Sequence, residues 1–90
     1  MKTFYHLHFK SRRDFFGGQR AVMFFKNGYG VSVIAGDHAY SDDNTYELAV
    51  LKGNAKNSEL TYDTPITSDV LGWQSPEDIT NAMAQVQALS

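Results

Sequence analysis

The chain has 90 residues, 42% of them hydrophobic and 13% aromatic, enough for one modest core and too few for two. It contains no cysteine, which excludes disulfides, thiolate metal sites and a cysteine nucleophile. The net charge of −2 divides unevenly: six basic side chains and one acid precede Asn27, while two basic and nine acidic side chains follow it, which predicts a basic and an acidic pole.

No apolar run approaches the about 20 residues that cross a bilayer, and the opening MKTFYHLHFK places histidines where a signal peptide needs an unbroken apolar stretch. The chain is therefore expected to be a single soluble, cytoplasmic domain over residues 1–90. Residues 3–10 alternate, with Tyr5, Leu7 and Phe9 against Phe4, His6 and His8, and read as a strand. Residues 11–19 form a connection broken by Gly17-Gly18, in which Phe15 or Phe16 is expected to tuck under the sheet edge.

Residues 20–36, RAVMFFKNGYGVSVIAG, hold two apolar runs joined at Asn27-Gly28. Asn-Gly suits a two-residue hairpin turn, because both residues tolerate the positive φ that a type I′ turn requires. That turn sets Lys26 opposite Tyr29, Phe25 opposite Gly30 and Phe24 opposite Val31. One face then carries Val22, Phe24, Val31 and Val33, and the other Met23, Phe25, Ser32 and Ile34. Gly30 would leave room for the Phe25 ring.

The stretch at 36–44 is a polar, acidic loop, and residues 45–52 form a third apolar strand. A GNAKNS turn leads to a short strand at 59–62, after which Pro65 allows only an edge or a turn. Residues 63–74 read as an irregular crossing anchored by Ile66, Val70, Leu71 and Trp73. Ser75-Pro76-Glu77-Asp78 then starts a helix, with a serine cap, proline at the first helical position and acids at the positive end of the dipole. It is expected to run from Pro76 to about Leu89, with Ile79, Met83, Val86 and Leu89 in one apolar stripe.

The expected fold is α+β: an antiparallel sheet of four to five strands with one C-terminal helix packed on one face. One helical stripe covers one sheet face, whereas the central hairpin is apolar on both. The second face is therefore covered by loops carrying Phe15, Phe16 and Tyr40, or by another protein, and an exposed apolar area of that kind usually marks an interaction surface. The helix is assigned to the Val22, Phe24, Val31, Val33 face. Met23, Phe25 and Ile34 become the candidate partner-binding surface, and a homodimer is one occupant.

His6 and His8 at i and i+2 on a strand can share a metal, but His38 is the only other histidine and no further element completes a zinc set, so no metal or cofactor is expected. Asp42, Asp43, Asn44 and Glu47 lack the spacing of an EF-hand loop. There is no Gly-x-Ser-x-Gly elbow, and no carboxylate pair has a spacing that implies a shared pocket, so no catalytic residues are assigned and an enzyme is not expected. Lys10, Arg12, Arg13 and Arg20, beside Gly17 and Gly18, have the chemistry of a small anion or nucleic-acid site.

Three stretches together carry a resemblance: NGYGVSVI at 27–34, YELAVL at 46–51, and LTYDTPITSDVLGW at 60–73 followed by a capped helix ending in QVQAL. They resemble a family of small accessory proteins of tailed bacteriophages and prophages, over roughly residues 27–89. The resemblance implies a phage-encoded protein in the bacterial host cytoplasm and carries over no active residues. By analogy with small phage proteins that cap or block host factors, it points to a protein-binding module, an inhibitor of a host or CRISPR-type defence protein. In that role Asp37, Asp42, Asp43 and Glu47 join Met23, Phe25 and Ile34, because an acidic surface can occupy a site built for nucleic-acid phosphate. The alternative is nucleic-acid or nucleotide binding by the basic N-terminal segment, with Phe15, Phe16 or Tyr5 stacking on bases.

Overall fold

A computed structural model describes residues 1–11, 18–35, 45–61 and 70–89. The chain forms an antiparallel sheet with one C-terminal helix across one face, an α+β fold. After a 3₁₀ turn at Phe4–His6 come β1 (Lys10–Ser11), β2 (Gln19–Phe24), β3 (Tyr29–Ala35), β4 (Tyr46–Gly53), β5 (Ser58–Leu60), β6 (Leu71–Gln74) and α1 (Pro76–Gln87). The strands lie in the order β1-β2-β3-β4, and β5 and β6 both pair with β4. No helix among the described residues is long and apolar enough to cross a membrane.

The core lies between α1 and the β3–β4 pair. Val31 is opposite Val50 and Val33 opposite Leu48, and all four are buried against Ile79, Ala82, Met83 and Val86. Burying side chains of this size stabilises by about 1.5–3 kcal/mol each before the entropy of ordering them is subtracted. The helix starts as the sequence leads one to expect. Ser75 Oγ accepts from the Asp78 N–H at 3.1 Å, Asp78 Oδ2 accepts from the Ser75 N–H at 3.0 Å, and Pro76 occupies the first helical position.

The hairpin turn differs from the sequence reading. The Phe25 N–H donates to Tyr29 O at 2.8 Å, so the loop has three residues, Lys26, Asn27 and Gly28. Gly28 has φ +86°, and it is the only one of the three in the left-handed region, whereas a type I′ turn needs two such residues. The extra residue slides the register by one: Met23 is opposite Val31, Val22 opposite Ser32 and Phe24 opposite Gly30. A slip of one residue exchanges the faces. Ala21, Met23 and Phe25 therefore lie on the helix side, and Val22 and Phe24 on the other. The ring that uses the space at Gly30 is Phe24: a Cβ there would stand 2.8 Å from Phe24 Cδ1 and 2.5 Å from Met23 O.

The strand expected over residues 3–10 is also corrected, since only Lys10 and Ser11 pair in the sheet. Thr3 N–H donates to His6 Nδ1 at 2.9 Å and closes the 3₁₀ turn, while Phe4 N–H donates to Thr80 Oγ1 of α1 at 3.1 Å. The inward set is then Phe4, Leu7 and Phe9, not one of the two alternating sets. The rings of Phe4, Phe9 and Tyr46 cluster with centroids 5.0–5.9 Å apart. Gln87 ties this segment to the end of the helix, its Oε1 accepting from Lys2 N–H at 2.9 Å and its Nε2 donating to Lys2 O at 2.8 Å.

Leu71–Gln74, read as part of an irregular crossing, is a strand. Two residues, Gly72 and Trp73, separate its paired ends, against Glu47 alone between Tyr46 and Leu48 of β4, which makes a bulge. Trp73 sits there at φ +52° and is 60% exposed, so it does not anchor the core. Phe15, Phe16, Tyr40 and Ile66 lie outside the described residues.

The Asn27 side-chain nitrogen lies 2.8, 3.0 and 3.3 Å from the carbonyl oxygens of Val86, Leu89 and Gln87, and its Oδ1 accepts from Tyr29 N–H at 3.1 Å. Asn27→Ala should therefore cost about 1–3 kcal/mol in urea unfolding, as buried acceptors lose their donor. Gly30→Ala should cost a similar about 1–3 kcal/mol through overpacking against the Met23 carbonyl. An unchanged midpoint in either variant would contradict the packing described.

Candidate functional site

The register places three cross-strand rows on the sheet face opposite the helix: Arg20–Ile34–Glu47, Val22–Ser32–Ala49 and Phe24–Gly30–Leu51–Leu60. The centre of this face is buried at Ser32, Ala49 and Leu51, and its flanks are open, with Val22 42% and Leu60 49% exposed. Arg20 lies across the face and its Nε donates to Ser32 Oγ at 3.0 Å. The charges of Arg20 and Glu47 thus flank Ile34 in one end row, and the apolar Val22, Phe24 and Leu60 lie in the rows beyond it.

Of the residues expected to bind a partner, Ile34 and Glu47 are brought together here as direct cross-strand neighbours. Met23 and Phe25 are not on this face. Both are half-buried and pack against the helix-side core, because the three-residue loop exchanged the faces. Asp37, Asp42 and Asp43 lie outside the described residues. Val22, Phe24 and Leu60 take the place of the two misplaced residues. A Lys-Asn-Gly loop ending in a left-handed glycine, tested against the Asn-Gly turn, is the signal that would have found Val22 and Phe24.

Among the residues of the alternative basic site, Lys10 lies directly opposite Arg20 and both are exposed. Like charges set opposite one another across strands repel, and an anion between them relieves the repulsion. Arg12 and Arg13 lie outside the described residues.

A second feature was not legible in the sequence. A groove of about 580 Å³ opens beside the hairpin tip, lined by Lys2, His6 and Lys26 and by the rings of Phe24 and Phe25, with no carboxylate in its lining. Phe24 and Phe25 point to opposite faces of the sheet, so the groove opens along the strand's edge. His6 presents its Nδ1 to the Thr3 N–H and is therefore committed to the local turn.

Among the described residues, no three His, Cys, Asp or Glu side chains are grouped so as to hold a metal ion. Zinc or EDTA is expected to leave the thermal midpoint unchanged, and a rise of several degrees on adding zinc would contradict this placement of His6 and His8.

Comparison with family models, with curated proteins and with solved structures gives no match.

Proposed function

We propose that this chain is a non-enzymatic protein-binding module, phage-encoded and acting in the bacterial host cytoplasm, that occupies a host or CRISPR-type defence protein. The observation that carries the reading is the face opposite the helix, where Val22, Phe24, Ile34 and Leu60 expose apolar surface and Arg20 and Glu47 flank Ile34 in its end row. Exposed apolar side chains beside charges of both signs are the composition of a protein interface: the apolar groups supply desolvation and the charges supply steering and register. The phage origin and the defence partner rest on the resemblance of the NGYG and YDTPIT stretches alone.

Affinity capture from bacterial lysate, followed by direct binding of the purified captured protein, tests this. The native chain should bind that protein, and the Val22→Asp, Leu60→Asp double variant should bind at least about tenfold more weakly with its melting midpoint kept, because both positions are exposed. Equal binding by the variant would remove this face from the function.

The juxtaposition of Lys10 and Arg20 favours a second reading, in which the module contacts nucleic acid. A gel shift with single-stranded DNA or RNA that weakens steeply with salt, and that Lys10→Glu abolishes, would establish it in place of the first.

A further inference from the structure

The outer edge of β2 is open where the groove begins. The hydrogen bond from Phe25 N–H to Tyr29 O shows that Phe25, and by alternation Met23 and Ala21, direct their backbone groups to β3. The N–H and C=O groups of Val22 and Phe24 therefore point away from the sheet. Edge strand β1 pairs only with Gln19 and Arg20, so among the described residues no strand pairs with Val22 or Phe24. The groove lies at the Phe24 end of this edge, with Lys2 and Lys26 in its lining, and Arg20 and Lys10 stand at the other end of the same edge.

We propose that this edge accepts an extended peptide of the partner protein as an added strand, apolar where it faces Val22 and Phe24 and acidic at both ends. The proposal rests on the protein-binding reading and names the chemistry of the partner. The backbone groups of Val22 and Phe24 supply the ladder, and Phe24 and Phe25 supply the apolar wall. The cations at both ends select the occupant. A second copy of β2, laid antiparallel so that Val22 meets Phe24, would bring Arg20 of each copy to the Lys26 end of the other, cation against cation. An acid-flanked strand meets the complementary charge at both ends, and its binding is steered and salt-sensitive.

The test uses the full chain and a fluorescein-labelled peptide, acetyl-Glu-Thr-Val-Thr-Val-Thr-Glu-amide, with a lysine-flanked counterpart, followed by anisotropy at low and high salt. The acid-flanked peptide should bind, weaken as salt rises, and exceed its lysine counterpart by at least about tenfold. Val22→Pro removes one outward N–H and leaves the pairing with β3 intact, so it should lose binding while keeping the fold. If Val22→Pro does not fold, hydrogen exchange on the native chain decides: the Val22 and Phe24 amides should gain protection when the acid-flanked peptide is added.

Equal binding of the two peptides, unprotected amides, or tighter binding of single-stranded oligothymidylate than of the acid-flanked peptide would each overturn the proposal. So would sedimentation showing a dimer that Lys26→Glu strengthens. A captured protein that binds Val22→Pro as well as the native chain overturns the edge alone and leaves the module reading in place. Failure to capture any protein overturns the reading itself.

Discussion

The side-chain amide of Asn27 holds the molecule together at the place where sheet and helix meet. An α-helix leaves its last carbonyls without intrahelical donors, and α1 has no basic residue in its last turn to meet them. The hairpin tip supplies the donor instead, with the Asn27 nitrogen within 3.3 Å of three carbonyl oxygens. The other atom of the same amide accepts from Tyr29 and shapes the turn. One residue thus satisfies the helix end and sets the loop that carries it. The Gly28 carbonyl accepts from Gly53 N–H at 2.8 Å, which ties the same tip to the end of β4.

The faces that the β2 side chains take follow from that loop having three residues. Side chains alternate along a strand, so one added residue moves a whole strand's apolar set to the opposite face. That register sets Ala21 and Met23 beside Val33 and Val31, which in turn meet Leu48 and Val50 under the helix, while Val22 lies beside Ser32 and Ala49 on the far side. The slim row of Ser32 and Ala49 gives Arg20 space to lie across the sheet. It also leaves Val22 and Leu60 as open flanks instead of members of a second core.

The N-terminal segment completes the helix side and shapes the candidate site. Its 3₁₀ turn crosses beside α1, held by Thr80 and Gln87, and covers the part of the sheet that a single helix leaves bare. In doing so it brings Lys2 to the groove that Lys26 also lines, which makes the groove cationic. Among the described residues, four charges of the basic pole read from composition, Lys2 and Lys26 with Lys10 and Arg20, stand towards two ends of one strand edge. The open backbone between them gives that charge a direction, along an extended chain.

Much of this was legible in the residues: the α+β class, the three long strands, and the helix with its Ser75-Pro76-Glu77-Asp78 start. These depend on local chemistry, periodicity, capping and turn propensity, which act over a few residues and leave a mark in sequence. The short β6 strand with its bulge at Trp73, and the turn at Phe4–His6, were not legible, because each is held by a distant element, β4 in one case and α1 in the other. The hairpin register belongs with them. Asn27-Gly28 is compatible with a two-residue turn and with a three-residue loop, and nothing within the hairpin separates the two strongly. In the folded chain the three-residue loop brings Asn27 to the carbonyls at the end of a helix some 60 positions away, a contact the hairpin's own sequence does not record, and the loop length sets which β2 side chains face solvent. Local chemistry therefore determined which elements form, and tertiary contact alone determined which faces and edges they leave open.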